Sequence, residues 1–180
     1  CIEQAASLEI DTPWGTYSGV EAVSHPGYSV ADNGSGGVLF NDVALILANE
    51  PMNVAPTPIL LSRSAQVGEE AIVAGFGITE PEGEAGTINA GRASVRNVTP
   101  NHLFIEYKDD ESHPCPGDSG GPLLLNQGGW WVIAGVVSQS DPTVAPENMC
   151  KPGDVTLYTN TQNPSVFDFI QAYVPSVNAW

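Results

Sequence analysis

Residues 115–122 read Cys-Pro-Gly-Asp-Ser-Gly-Gly-Pro, with one serine, Ser119, set among glycines. A serine hydroxyl is a weak nucleophile unless it is exposed, oriented and paired with a base. Glycines on both sides allow a sharp turn and the close approach of a substrate. They also free the main-chain N–H groups of Gly117 and Ser119 to point at one spot, where they would form an oxyanion hole. The segment predicts a nucleophilic serine, and the alternative is a glycine-rich turn with an incidental serine.

The rest of the chain has the composition of an all-β protein. Of its 180 residues, 19 are glycine, 15 are proline and 42% are hydrophobic, a mixture typical of short strands joined by turns. The one convincing helix covers residues 166–174, with Pro164 and Ser165 at its start. A polar loop is predicted at residues 32–37, and strands are predicted at residues 43–47, 71–74, 88–98, 103–107, 123–125, 130–137 and 155–159.

The charge of the chain argues against two classes of partner. The formal net charge is −16, from 21 acidic and 5 basic residues. Nucleic-acid binding and attachment to an anionic membrane surface both require clustered lysine and arginine. We therefore expect neither nucleic acid nor membrane as a partner. We also expect no membrane-spanning segment, and the first residues lack the pattern of a signal peptide.

Residues 117–122 resemble the nucleophile motif of the chymotrypsin/trypsin family of serine proteases at all six positions. Residues 41–46, Asn-Asp-Val-Ala-Leu-Ile, resemble the segment around that family's catalytic aspartate. This assigns Asp42 the role of orienting the base, although an aspartate before an apolar run is, taken alone, more typical of a strand cap. Residues 136–138 resemble the strand that lines the substrate cleft, where Ser138 would support Asp42 and the substrate backbone.

The resemblance extends over essentially the whole chain and implies its fold. We expect an all-β protein of two antiparallel six-stranded Greek-key β-barrels with a C-terminal helix, and the active site in the cleft between the barrels. The first barrel should be incomplete, lacking its opening strands. Residues 1–180 would form a single peptidase domain. Residues 1–68 and the helix at 164–174 would lie on the side of the first barrel, and residues 69–163 would form the second.

The family's catalytic histidine has no counterpart in the sequence. The family order is histidine, aspartate and serine, with the histidine in an Ala-His-Cys motif. The simplest alignment places it immediately before Cys1. His25 and His102 are better explained as solvated loop residues than as the base. We expect the chain as written to be nearly inert, because loss of a triad member costs about 10⁶ in turnover.

The resemblance also assigns structural roles. In the family, the amino group of an N-terminus released by processing pairs with the aspartate before the nucleophile, here Asp118. The N-terminal sequence typical of that processing is not found here, so the oxyanion loop should be poorly ordered. Cys115 and Cys150 resemble the cysteine pair that ties the nucleophile loop to the far wall of the pocket. Their disulfide would imply a secreted or periplasmic protein, and the alternative is two buried thiols.

The acidic residues Glu80, Glu82 and Glu84 are best explained as a solvated loop, and neither a metal nor a cofactor is expected.

Primary specificity is expected to depend on His113 and Ser140. His113 occupies the position at the base of the pocket, six residues before Ser119, where an aspartate selects lysine or arginine. A trypsin-type preference is therefore not expected. His113 and Ser140 together could bind an acidic side chain, and the alternative is that His113 only fills the pocket or makes a local hydrogen bond.

The sequence thus predicts a serine endopeptidase, resembling the bacterial-type members of its family, that acts on protein or peptide substrates. Protein inhibitors would be further partners, and the chain would be a monomer. The rival hypothesis is a non-catalytic homologue that serves as a binding module. Such homologues usually lose the nucleophile together with the base, and here Ser119 and Asp42 are both present.

Overall fold

The computed structural model describes residues 8–32, 34, 36–79 and 83–180. These residues form a mostly β structure, with one α-helix near the C-terminus and a short 3₁₀ turn at Pro146–Asn148. The predictions about Cys1, Glu80 and Glu82 lie outside the described residues. The elements in chain order are β1 (Leu8–Thr12), β2 (Gly15–Ser24), β3 (Ser29–Asp32), β4 (Gly37–Phe40), β5 (Ala44–Ala48), β6 (Glu70–Gly75), β7 (Asn89–Val98), β8 (His102–Glu106), β9 (Pro122–Gln127), β10 (Trp130–Ser140), β11 (Val155–Asn160) and α1 (Pro164–Tyr173).

Six strands close into a barrel in the order β10-β11-β8-β7-β6-β9, with antiparallel pairing throughout. Successive side chains of a strand point to opposite faces, so every second residue fills the barrel. On β6 these are Ala71 and Val73, and on β9 they are Leu123 and Leu125, all of them buried. The strands β9 and β10 follow each other in the chain and pair as an antiparallel hairpin. The six-stranded second barrel expected from the sequence is therefore confirmed.

The N-terminal strands do not close into a barrel within the described residues. β1, β2 and β5 form a three-stranded sheet, and β3 and β4 form a separate hairpin. This arrangement agrees with an incomplete first barrel. It also corrects the polar loop predicted at residues 32–37, because Ser29–Asp32 pairs with Gly37–Phe40 and only the residues between them connect the strands. Four-residue strands are too short for their alternation to stand out in the sequence.

The C-terminal helix packs against the N-terminal strands rather than standing apart. It begins at Pro164, where the missing N–H is tolerated, and Asn163 caps it by accepting a hydrogen bond from the amide of Ser165. Its buried residues join a second apolar cluster that includes side chains from β2 and β5; the cluster contains Val166, Phe169, Ile170, Ile59, Val23, Val43 and Leu45. Across the described ranges, no helix has both the length and the hydropathy needed to cross a bilayer.

His25 and His102 are both buried, so the expectation of solvated loop histidines is wrong. The Nε2 atom of His25 donates to the carbonyl of Ser165 at 3.0 Å, and the ring packs edge-on against a helix side chain. The Nε2 atom of His102 donates to the carbonyl of Leu39 at 2.7 Å, which joins β8 to β4. Burial lowers the pKa of His102. Both rings join the N-terminal strands to other parts of the chain, which a turn signal in the sequence does not reveal.

Leu125→Ala should destabilise the fold by about 2–5 kcal/mol, because it removes a fully buried side chain from a closed barrel that cannot collapse around the gap. The measurement is urea denaturation followed by tryptophan fluorescence. Leu47→Ala is the matched control, because Leu47 is 58% exposed in β5. We expect Leu47→Ala to change the free energy of unfolding by no more than about 0.5 kcal/mol. Equal costs for the two substitutions would contradict the barrel core described above.

Candidate functional site

Ser119 is exposed in a tight loop that precedes β9. Main-chain hydrogen bonds shape the loop. The amide of Asp118 donates to the carbonyl of Cys115 at 3.0 Å, and the amide of Gly121 donates to the carbonyl of Asp118 at 2.8 Å. The amide of Gly120 donates across to Val137 on β10 at 3.0 Å. The serine is thus presented to solvent by a backbone that the barrel wall holds in place.

The amides of Gly117 and Ser119 make no hydrogen bond to any described residue, although the amides between and after them do. Gly117 has φ = 101°, in the left-handed region where a side chain would be strained. This conformation is a reason for glycine at that position. Two free donors beside an exposed hydroxyl are what an oxyanion hole requires. Their role in catalysis stays a prediction.

The carboxylate of Asp118 points into the barrel wall, away from Ser119. Oδ1 accepts a hydrogen bond from the amide of Gly77 at 2.7 Å, and Oδ2 accepts one from the amide of Cys115 at 2.8 Å. A Cβ added at Gly75 would lie only 1.9 Å from Oδ1. Within the described residues, two main-chain donors therefore order the loop. The pairing of Asp118 with an amino group stays untested.

Asp42 reaches the same region from the N-terminal half of the chain. Its Oδ2 accepts a hydrogen bond from the hydroxyl of Ser138 at 2.7 Å, across a sequence separation of 96 residues. Its carbonyl accepts a second bond from Thr159 on β11 at 2.9 Å. Ser138 lies where the β10–β11 register shifts between Val137 and Gln139, and a bulge of this kind redirects a side chain out of the regular pleat. The contact expected between Ser138 and Asp42 is present.

A cavity of about 360 Å³ opens beside Ser119. The disulfide between Cys115 and Cys150, with Cα atoms 5.2 Å apart, is present as expected and joins the nucleophile loop to the segment before β11. The predicted Ser138 and Ser140 both line the cavity. Its lining comprises Pro114, Cys115, Pro116, Gly117, Ser119, Val137, Ser138, Gln139, Ser140, Met149, Asp154 and Thr156.

His113 is not among the residues that line this cavity. Its side chain is completely buried and stacks on Tyr107 at 5.4 Å between ring centroids. A hydrogen bond of 3.1 Å joins its Nε2 atom and the hydroxyl of Thr156. Burial lowers the pKa of His113, and the nearby carboxylate of Asp154 opposes that effect. The structure therefore matches the alternative of a local hydrogen bond, and it does not bring His113 to the cavity wall with Ser140.

Asp154 is a site residue that the sequence analysis missed. Its side chain is 2% exposed, and it accepts hydrogen bonds from the amides of Cys150 at 2.7 Å and Val155 at 2.8 Å. Cys150 has φ = 60°, so the carboxylate holds an uncommon backbone turn on the cavity wall. The sequence did contain a signal for this role. Asp154 lies between a Pro-Gly turn and an apolar strand, and a carboxylate in such a place usually accepts hydrogen bonds.

Comparison with known proteins gives one family. The family model described as Trypsin matches residues 8–166. CLIP domain-containing serine protease B4 of Anopheles gambiae is 28% identical over 159 residues, covering 77% of this chain and 42% of that protein. Vitamin K-dependent protein C of Rattus norvegicus is 29% identical over 143 residues, covering 66% of this chain and 30% of that protein. The chain therefore spans less than half the length of these two relatives.

The relatives are animal proteins, so the expected bacterial type is not supported. Among solved structures, a mutant of human heparin binding protein (CAP37) superposes with a TM-score of 0.68 and is 22% identical in sequence. The match covers 90% of this chain and 67% of that one. At this identity the likeness shows a shared fold, which agrees with the barrel architecture described above.

We expect the free energy of unfolding to fall as the pH drops below about 6.5, the ordinary pKa of histidine. Burial lowers the pKa of His113 and His102 in the folded chain, so the unfolded chain binds more protons in this range. The stability that these rings contribute is complete above about pH 6.5 and is lost as the pH falls toward their folded pKa values. Urea unfolding at about pH 7 and about pH 5 measures the difference.

His113→Gln is the matched variant, because glutamine places a nitrogen near Thr156 without titrating. In the double variant with His102→Gln, the free energy of unfolding should fall less between about pH 7 and about pH 5, because neither glutamine gains a proton. An unchanged pH dependence in the double variant would show that these rings are not its source.

Proposed function

The chain belongs to the trypsin family, and we propose that it is a serine endopeptidase that hydrolyses peptide bonds through an acyl-enzyme on Ser119. One observation carries the proposal. The exposed hydroxyl of Ser119 lies between two unengaged amides and a cavity of about 360 Å³ that is open to a side chain. A structural turn would not require this combination of exposure, free donors and adjacent space.

The chemistry follows from these groups. The Oγ of Ser119 attacks the scissile carbonyl carbon, and the carbonyl oxygen gains negative charge as the tetrahedral intermediate forms. The amides of Gly117 and Ser119 stabilise that charge, and one such donor is worth about 3–4 kcal/mol. Collapse of the intermediate expels the amine and leaves the acyl group on Ser119. Water then attacks the ester and frees the serine.

Asp42 is proposed to orient the base that takes the proton of Ser119. Its Oδ2 is held by Ser138, and Oδ1 accepts no hydrogen bond from a described residue, so one oxygen stays free for an imidazole N–H. The sequence has three histidines. His25, His102 and His113 are each engaged by a carbonyl or a hydroxyl away from Ser119. We therefore place the base outside residues 1–180, supplied by another part of the full-length protein.

Substrate and setting are proposed on the same basis. Proteins or peptides are the substrates implied by the family, and protein inhibitors that occupy the same cavity would be further partners. We propose that the chain acts as a monomer. The Cys115–Cys150 disulfide favours an exported protein, because such bonds persist in oxidising compartments.

A binding module on the same scaffold is the second candidate. The engagement of all three histidines elsewhere favours it, because none of them is then placed to act as a base for Ser119. A module of this kind would bind peptides in the cavity without cleaving them. Covalent labelling of the serine separates the two functions.

The full-length protein should react with a fluorophosphonate probe at Ser119, because only an activated serine attacks the phosphorus. Ser119→Ala should abolish labelling, and Asp42→Asn should slow it by about 10³–10⁴-fold, because the base loses its orientation. Labelling is read by gel fluorescence, and the modified residue is identified by peptide mass spectrometry.

Ser62→Ala is the matched control, because Ser62 is exposed and lies away from the Ser119 cavity. It should label at the rate of the unmodified protein. Absence of labelling in the full-length protein, with the fold intact by circular dichroism, would favour the binding module.

A further inference from the structure

The short strand β4 leads directly to Asp42, and Asn41 is the one residue between them. Within the described part of the chain, the one strand that pairs with β4 is β3, and all four residues of β3 are exposed. A two-stranded hairpin has little stability of its own. Contacts outside this hairpin therefore hold β4, and with it the segment that carries Asp42.

Gln139 of β10 binds main-chain groups of β4. The amide of Leu39 donates to Oε1 of Gln139 at 2.7 Å, and Nε2 of Gln139 donates to the carbonyl of Gly37 at 3.1 Å. Nε2 also donates to the carbonyl of Ser140 at 3.2 Å. A glutamine side chain has an acceptor oxygen and two N–H donors. Gln139 uses all three on the main chain, so it pairs with β4 much as a neighbouring strand would.

The turn between β4 and Asp42 is also fixed. Asn41 has φ = 53°, in the left-handed region that asparagine tolerates better than most residues with a side chain. Its Nδ2 atom donates to the carbonyl of Gly27 at 2.9 Å, and its carbonyl accepts from the amide of Val43 at 2.9 Å. The second bond closes a three-residue turn with Asp42 at its centre. A shift of β4 would therefore be passed on to Asp42.

Gln139 follows directly after Ser138, which donates to Oδ2 of Asp42. The β10–β11 register shifts between Val137 and Gln139, and at this irregular part of β10 both side chains reach the same segment of the chain. Ser138 holds one carboxylate oxygen, and Gln139 holds the strand that precedes the aspartate. One bond to Oδ2 does not fix the direction of Oδ1, which depends on where the backbone of Asp42 lies.

We propose that Gln139 is a positioning residue for Asp42, because by holding β4 it sets the direction of the free oxygen Oδ1. The inference rests on the proposed function, since it takes Asp42 as the residue that orients the base of Ser119. Gln139 also lines the cavity beside Ser119, so direct contact with a substrate is the competing role. The engagement of its oxygen and both N–H groups by the main chain favours positioning.

Gln139→Met removes these hydrogen bonds and keeps a side chain of similar length. In the full-length protein, it should lower the limiting rate of fluorophosphonate labelling at Ser119 by about 10–100-fold, because a small misplacement in the site costs this much. The probe concentration that gives half the limiting rate should stay unchanged. Gln171→Met is the matched control at an exposed position of α1 and should label at the unmodified rate. An unchanged limiting rate in Gln139→Met, or a change in the half-saturating concentration alone, would overturn the proposal.

A double variant separates positioning of Asp42 from a general effect on the site. Gln139→Met combined with Asp42→Asn should label within about threefold of the rate of Asp42→Asn alone, because the orientation that Gln139 supports is already lost. If the two losses multiply in the double variant, Gln139 acts independently of Asp42, and the proposal is wrong.

Hydrogen exchange tests the anchoring of β4 without any labelling. The amide of Leu39 should exchange faster in Gln139→Met than in the unmodified protein, whereas the amide of Leu125 in the barrel should keep its rate. Unchanged exchange at Leu39 would contradict the anchoring. Gln139→Asn replaces Gln139→Met if the latter does not fold, because its amide is one methylene too short to reach both Leu39 and Gly37, and the same results are expected.

The two proposals can fail separately. No labelling of the unmodified full-length protein, together with faster exchange at Leu39 in Gln139→Met, would refute the endopeptidase function and leave the anchoring of β4 in place. Labelling of the unmodified protein that Gln139→Met leaves unchanged would refute the positioning role alone.

Discussion

The position of Ser119 depends on the burial of its neighbour's charge. Asp118 points inward, and its two oxygens are bound by the amides of Gly77 and Cys115. Because consecutive side chains diverge, fixing Asp118 in the wall turns the next residue toward solvent. The inward carboxylate is accommodated only because Gly75 and Gly77 have no Cβ in its way. The glycines of β6 and the loop after it are thus as necessary to the site as those that flank the serine.

The candidate active site also requires that two parts of the chain that are distant in sequence come into contact. Asp42 precedes β5 in the N-terminal sheet, whereas Ser138 and Thr159 belong to the closed barrel. Both barrel residues hold Asp42, one by its carboxylate and one by its carbonyl. The register shift in β10 exposes Ser138 for this contact. The closed barrel therefore supplies the rigid frame, and the N-terminal strands bring one residue to it.

Much of this organisation could be predicted from sequence, because it follows from local pattern. The alternating strands around Leu123, the capped helix and the glycines at Ser119 all leave signals within a few residues. Burial of His25 and His102 could not be predicted, since it depends on which distant element covers each ring. Asp154 was missed for a related reason: its neighbour His113 is distant in the sequence and comes near it only in the folded chain.

The closed barrel and the three-stranded N-terminal sheet differ in whether they leave main-chain N–H and C=O groups unpaired. A closed barrel has no edge strand, so its N–H and C=O groups are internally paired. In the three-stranded sheet, β1 and β5 are the outer strands among the described residues, and each presents unpaired groups along one side. Exposed Leu47 and Ile46 lie on one of those margins. Self-association of partly folded chains would therefore begin at the N-terminal sheet, and charged substitutions there would favour soluble expression more than changes in the barrel.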